Sequence, residues 1–377
     1  MKIVVNTRLL LKDRLEGIGW FTYETLIRIT RKHKDYQFIF LFDRPYDEQF
    51  IFGDNVTPIV LRPPARHPIL FIIWFEIAVR KVLKKYNPDL FLSTDGYLSL
   101  SSNIKSLAVI HDINFEHYPE DLRWDVRKYY HYFFPRFAKK AIRIATVSEF
   151  SKNDIAEKYK VDLDKIDVVF NGASDIFKPS ELNTQIEFKN KYTCGKDFFI
   201  FVGSLQPRKN IARLLQAFDQ FKKENNTEIK LLLVGEKYWW NNEMEQAYKS
   251  MEFKHDVVFV GRFNQLELNV AYGSAMALVF VPYFEGFGIP IVEAFKCGLP
   301  VITSNVTAMP EIAGDAALIV NPFSTESIAA ALTRMASDEE LRNHHRNKGF
   351  DRQKVFSWDK TADLLWMSIE KAIGNKK

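Results

Sequence analysis

Short runs of β-branched and aromatic residues recur along the first half of the chain and read as strands. They lie at Lys2 to Asn6, Tyr36 to Phe42, Asp89 to Ser93, Leu107 to Ile110, Ile144 to Val147 and Ile166 to Phe170. Longer stretches with apolar residues at helical spacing fill the gaps, at about Ile18 to Lys32, Pro68 to Lys85, Asp125 to Lys140 and Glu149 to Lys158. Strands alternating with helices predict a mainly parallel sheet covered on both faces. After a polar stretch from Lys178 to Asp197 the alternation restarts, with strands at Phe198 to Val202, Lys230 to Val234, Val257 to Val260, Leu278 to Val281, Pro300 to Thr303 and Ala317 to Val320. The pattern predicts an α/β protein of two doubly wound, Rossmann-like domains, residues 1–178 and 179–355, facing one another across a cleft. The segment Asp338 to Lys376 is helical in pattern, with a break near Phe356 and Trp358 and apolar Leu364, Leu365, Met367 and Ile369 beyond it. Residues from about 356 to 377 are expected to return to the first domain. Ligands of doubly wound sheets bind beyond the carboxyl ends of the strands, so the strand-end loops are where chemistry is to be sought.

The length of 377 residues exceeds what one core usually holds, in agreement with two domains. Two cysteines, Cys194 and Cys297, are too few for a disulfide framework or a cysteine zinc site and suit a reducing compartment. The N-terminal apolar run is too short for a signal peptide, and the run Pro68 to Phe75 falls short of the ~20 residues of a membrane span. A cytoplasmic protein is expected. The net charge of +5 comes entirely from the first half, where residues 1–180 carry 28 Lys and Arg against 23 Asp and Glu. That field suits an anionic acceptor or a lipid headgroup surface and is far weaker than the basic stripe of a nucleic-acid binder.

The strongest chemical signal is Glu285-Gly286-Phe287-Gly288-Ile289-Pro290-Ile291-Val292-Glu293, a glycine turn after a strand with Pro290 in the first turn of the helix it opens. Free amides at such a helix start, with the positive end of its dipole, form an anion site. Glu285 and Glu293 can accept hydrogen bonds from different hydroxyls of one extended ligand; the alternative makes Glu285 a loop residue and Glu293 an acid favoured by the dipole of the first turn. The second signal is Gly203-Ser204-Leu205-Gln206-Pro207-Arg208-Lys209-Asn210, again a strand, a glycine turn and a helix. Two cations at a helix start oppose its dipole, so their placement points to a bound phosphate; otherwise they are a solvated basic pair.

These segments resemble family 4 of the retaining glycosyltransferases, which have the two-Rossmann GT-B fold. The resemblance continues through Val260-Gly261-Arg262, the Glu-x7-Glu element Glu285 to Glu293, Ala294 to Ile302, Ser304-Asn305 and Met309 to Ala317, with weaker echoes at His111-Asp112, Thr146 to Ser151 and Asn171-Gly172. It implies that Gly203, Arg208 and Lys209 meet the diphosphate of a nucleotide-sugar donor and that Glu293 binds the ribose. Glu285, with Gly286, Phe287, Gly288 and Ile289, would hold the transferred sugar, and Gly261 and Arg262 would lie near the nucleobase. Transfer is implied to retain configuration and to need no metal or other cofactor, the cations acting on the leaving phosphate. The wording of residues 285–322 resembles mannosyltransferases of surface-polysaccharide assembly, so GDP-mannose is the first donor expected and a UDP-hexose the second, with a growing glycan or lipid-linked oligosaccharide as acceptor.

In the first half, His111 ends a strand and is implied to touch donor sugar or acceptor; the other reading is a loop histidine oriented by Asp112. Gly17-Ile18-Gly19 opens a helix in the position of a donor loop, but Trp20 stands where relatives often carry Arg. Asp162-Leu163-Asp164, the one Asp-x-Asp, reads as a solvated turn and not as a metal site. Pro68 to Lys85 and Trp124 to Lys140 combine apolar residues with Lys and Arg, and read either as core helices or as a peripheral membrane surface. Two rivals stand beside the transferase reading. A UDP-N-acetylglucosamine 2-epimerase would need acid and base groups for which no further constellation is present. A glycan-binding or scaffold protein that lost catalysis sits poorly with intact Arg208, Lys209, Glu285 and Glu293.

Overall fold

The computed structural model describes residues 1–374. They form two α/β units, Met1–Asn171 with the chain from Trp358 on, and Gly172–Ser357. The first holds seven parallel strands: β1 Lys2–Asn6, β2 Gln37–Phe42, β3 Val56–Val60, β4 Leu90–Ser93, β5 Ser106–Val109, β6 Arg143–Thr146 and β7 Ile166–Val168, in the order β3-β2-β1-β4-β5-β6-β7. The second holds six: β8 Phe198–Val202, β9 Lys230–Val234, β10 Val257–Gly261, β11 Ala277–Phe280, β12 Val301–Ser304 and β13 Ala317–Val320, in the order β10-β9-β8-β11-β12-β13. Counted from its own first strand, each sheet runs third, second, first, fourth, fifth, sixth, and the first adds a seventh at the end. This is the doubly wound order, and it reverses between β1 and β4 in one unit and between β8 and β11 in the other. The central strands are buried on both faces, as parallel sheets between helix layers must be.

The strand β3 was absent from the sequence reading because Pro58 interrupts its run. It is an edge strand that pairs only with β2, with Pro58 opposite Phe40, and an edge is where a residue without an amide proton is tolerated. Helices of the first unit include α1 Gly17–Lys32, α2 over residues 68–86 and α3 Trp124–Lys140. The expected single helix over Pro68 to Lys85 is present, but its middle turn, Trp74–Val79, is π-helical between α-helical Pro68–Ile73 and Arg80–Tyr86.

In the second unit, α4 Ile211–Asn225 follows β8 and α5 Ile289–Lys296 follows β11. The last described helix, α6 Trp358–Ile373, belongs to the first unit, as the apolar pattern had implied. It buries Leu365, Trp366 and Ile369. Its Trp366 stacks on His33 at 3.5 Å, and Asp359 and Asp363 pair with Arg28 and Lys32 of α1. Ser368 donates to Asp167 (2.6 Å) and Thr361 to the Phe170 carbonyl (2.6 Å). The tail of the expected segment, residues 375–377, lies outside the described residues.

Candidate active site

The sequence leaving β8 is built for close approach. Gly203 and Gly235 have φ of +145° and +154°, and a Cβ on Gly235 would stand 1.9 Å from the Gly203 carbonyl oxygen, so no other residue fits there. Pro207–Lys209 then makes one tight turn, and Asn210 takes the left-handed conformation (φ 64°) before α4 begins. Asn is among the few side chains that visit this region. Its amide donates to the carbonyls of Val281 (3.1 Å) and Pro322 (2.7 Å), and Tyr283 N–H donates to the Arg208 carbonyl (3.1 Å). The β8 exit is thereby stitched to the β11 exit across the point where strand order reverses.

The β11 exit carries the glycine turn. Glu285 N–H donates to Thr307 Oγ1 (3.3 Å), and Gly288 sits at φ +96° with Met309 Cε 3.0 Å from where a Cβ would be. Pro290 stands in the first turn of α5 as expected. Glu285 Oε2 accepts from both Arg208 Nη1 and Lys209 Nζ. Burial pushes this carboxyl up, the two cations overcome the effect, and it titrates below the ordinary carboxylate range. The Arg208 Nε donates to Gln206 Oε1 (3.1 Å), and the Lys209 ammonium lies 4.8 Å from the Phe280 ring centre. Here the structure amends the dipole argument: the anion beside the basic pair is a protein carboxylate. Two cations and one carboxylate still sum to a single positive charge at the start of a glycine-rich turn.

Glu293 lies one turn deeper on α5. The first turn of that helix holds no acid, which removes the reading of Glu293 as a first-turn residue. Instead its Oε2 accepts from Tyr272 Oη at 2.9 Å, and burial pushes its carboxyl up to about 7. Gly261 closes β10 in open space at φ +68°, its carbonyl accepts from Gly235 N–H (2.8 Å), and Arg262 beside it is exposed. The second unit therefore joins Gly203, Arg208, Lys209, Glu285, Gly286, Phe287, Gly288 and Ile289 at its switch point, with Glu293 below and Gly261 and Arg262 reached through Gly235.

Gly17, Gly19 and His111 belong to the first unit. A Cβ on Gly19 would meet the Leu9 carbonyl at 3.0 Å, so this glycine serves helix packing, whereas Gly17 has open space around it. Trp20 meets the Tyr23 ring edge to face at 5.9 Å. His111 Nε2 lies 2.9 Å from the Thr94 carbonyl, which only accepts, so Nε2 carries the proton and Nδ1 is left as an acceptor in the neutral ring. Burial pushes its pKa down and keeps it neutral, and Phe21 of α1 packs against the ring at 4.9 Å. Asp112 accepts from Asn114 N–H at 3.2 Å and does not orient the imidazole. Asp162 caps the short turn Leu163–Lys165, the solvated turn expected of Asp-x-Asp here.

Residues 183–352 match the model of the family described as Glycosyl transferases group 1, and residues 16–175 match that of Glycosyltransferase Family 4. The chain is a glycosyltransferase, with a group 1 domain over residues 183–352 and a family 4 domain over residues 16–175. The transferase is 28% identical over 302 residues to the O-antigen chain mannosyltransferase B of Escherichia coli, covering 78% of each chain. It is likewise 28% identical over 311 residues to the O-antigen chain mannosyltransferase RfbU of Salmonella typhimurium, covering 81% of this chain and 83% of that one. In fold it is similar to a sucrose-phosphate synthase of Thermosynechococcus elongatus, with a TM-score of 0.79 over 98% of both chains at 18% identity. The transferase has the GT-B fold.

Three residues of the transferase escaped the sequence reading of its site. Tyr272 donates to Glu293 from 21 positions away, and no local pattern marks it. Asn210 was legible as part of Pro207 to Asn210, but not as the clamp between two loops. Thr307, at φ +57°, is a β-branched residue in a conformation such residues avoid, and it holds the Glu285 backbone.

Proposed function

We propose that this transferase moves a hexose, in the first instance mannose from GDP-mannose, to a growing glycan or lipid-linked acceptor, with retention of configuration and without a metal ion. The observation that carries the reading is the Arg208–Lys209–Glu285 cluster at the start of the glycine turn. Expelling a nucleoside diphosphate concentrates negative charge on the leaving phosphate while the sugar becomes oxocarbenium-like, and cations already fixed at that phosphate act chiefly on the transition state. Arg208 and Lys209 are held by Glu285 before any ligand arrives, so little reorganisation is required. In this reading they replace a metal, and Glu285 with Gly286, Phe287, Gly288 and Ile289 holds the transferred sugar. Glu293 receives the ribose hydroxyls, and Gly261 and Arg262 lie near the base. In the first unit, His111 offers Nδ1 as an acceptor to a hydroxyl, and Gly17 and Gly19 are the other residues of that unit assigned to substrate. The mannose assignment is supported by the names of the two O-antigen relatives. The work is cytoplasmic, where nucleotide sugars are made.

The test is thermal stabilisation by GDP, UDP, dTDP and ADP and their sugars, followed by turnover of the preferred donor in EDTA. A ligand at 100 times its Kd adds about 2.7 kcal/mol of apparent stability. Selective stabilisation by GDP and GDP-mannose, with turnover untouched by EDTA, is the expected result. Selectivity for UDP would replace the donor, and an EDTA loss restored by manganese would remove the metal-free claim.

A further inference from the structure

Among the described residues, seven that are not glycine hold a positive φ. Asn87, Lys160, Cys194 and Asn226 each close a helix, where one left-handed residue is routine. Asp13 and Asn210 are of the two types that visit this region with least strain. Thr307 fits neither description. It is β-branched, stands at φ +57° in the loop that leaves β12, and ends no helix.

Such conformations cost stability and persist where the surroundings hold them, most often at sites of chemistry. Here the surroundings are the β11 exit. Thr303 Oγ1 donates to the Phe280 carbonyl and Ser304 Oγ to the Pro282 carbonyl, both at 2.7 Å, so the end of β12 carries the chain that leaves β11. Thr307 and Ala308 then take the Glu285 backbone from both sides. The Glu285 N–H donates to Thr307 Oγ1 (3.3 Å), and the Ala308 N–H donates to the Glu285 carbonyl (3.4 Å). The Thr307 hydroxyl donates its own proton to the Val306 carbonyl at 2.8 Å, which leaves an oxygen lone pair for the amide.

The peptide between Phe284 and Glu285 is therefore held on both edges. Its N–H meets Thr307, and its carbonyl, that of Phe284, accepts from Arg208 Nη1 at 3.4 Å. The Glu285 carboxylate accepts from the same Arg208 Nη1 and from Lys209. One peptide plane thus connects the Thr307 hydroxyl to the guanidinium, and hydrogen bonds in line polarise one another. Glycine at this position would relax the backbone but give the amide no acceptor.

We propose that Thr307 is a positioning residue of the transfer reaction, its strained backbone retained because it aims the hydroxyl at the 284–285 peptide and so fixes Arg208. Thr307 has this role only if Arg208 faces the leaving phosphate, as proposed above. A cation that acts on the transition state has to be in place beforehand, and a displacement of about 1 Å is enough to cost on the order of 10²-fold in rate.

The experiment follows nucleoside diphosphate release from GDP-mannose, or from UDP-glucose where thermal stabilisation has selected UDP, beside the melting temperature of each variant. Thr307→Val keeps the shape and removes the acceptor, and its kcat is expected to fall roughly 10- to 100-fold. Thr307→Ser keeps the hydroxyl on an unbranched carbon and stays within about threefold of wild type. Thr307→Gly relieves the strain, so its melting temperature stays within about 3 °C of wild type while kcat falls as in the valine variant. In the Arg208→Ala background Thr307→Val adds less than about twofold, because the two side chains act as a unit. Turnover of Thr307→Val within about threefold of wild type, with Arg208→Ala impaired, overturns the positioning role and leaves the role of Arg208 standing. Additive losses in the double variant overturn it as well, as does a glycine variant whose activity falls only in step with its melting temperature. Full activity of Arg208→Ala removes both roles together.

Discussion

The two sheets of this transferase share one strand order yet treat the ends of their strands in opposite ways. Beyond β1 and β4, Arg8 and Asp95 form a buried pair at 2.6 Å, Asn6 donates to Asp95 (2.7 Å), and the Arg8 guanidinium sits 4.5 Å from the Tyr97 ring centre. Charge cancels there and water is shut out. Beyond β8 and β11, two cations converge on one carboxylate next to a glycine turn. A polar cluster at a switch point is thus no mark of a binding site by itself; what differs between the two is the glycine turn beside the second.

That contrast sets the order of four expectations. Arg8→Ala strands Asp95 in the interior and is expected to cost about 3 to 5 kcal/mol in urea unfolding; a loss under about 1 kcal/mol would show the pair to be hydrated and blur the distinction. Arg208→Ala leaves Lys209 to hold Glu285, so the melting temperature barely moves while kcat falls roughly 10²- to 10³-fold. Turnover within a few-fold of wild type would remove Arg208 from the mechanism. Asn210→Ala gives up two loop-bridging hydrogen bonds and the tolerance for left-handed backbone, about 2 to 3 kcal/mol of stability together. If that variant stays as stable as wild type, the stitching between the β8 and β11 exits is incidental.

The smallest effect is a pH dependence. Glu293, ionising near 7 when folded, binds its proton more tightly than in the unfolded chain, where about 4.5 applies. Its contribution to stability is complete below about pH 4.5 and is lost as pH rises through about 7. Ribose hydroxyls donating to the carboxylate favour the ionised form, so nucleotide affinity should tighten about tenfold between pH 6 and 8 and lose that slope in Glu293→Gln. Parallel slopes for variant and wild type in calorimetry would assign the titration to the nucleotide instead.

Much of the architecture was legible because buried parallel strands are short apolar runs, and β1, β8, β9 and β13 fall where those runs do. What was hidden has physical reasons. Pro58 disguises an edge strand, and the π turn in α2 breaks the helical period on which face assignment depends. In the site, Arg208, Lys209, Glu285 and Glu293 stood out through glycine turns and misplaced charge, which are local signals. That Glu285 answers the charge of Arg208 across 77 positions, or that Tyr272 reaches Glu293, is set by the packing of β11 and its neighbours and leaves no trace in local spacing.

The return of α6 to the first unit has a consequence for synthesis on the ribosome. The second unit is complete in the nascent chain before the first, because α1 still lacks the partner that covers Ile29 and stacks on His33. A chain interrupted after residue 357 would carry a finished second unit joined to a sheet with an apolar groove left bare, a product that chaperones and proteases recognise. Placing the last helix on the first domain thus makes the folding of that domain a report on whether translation went far enough.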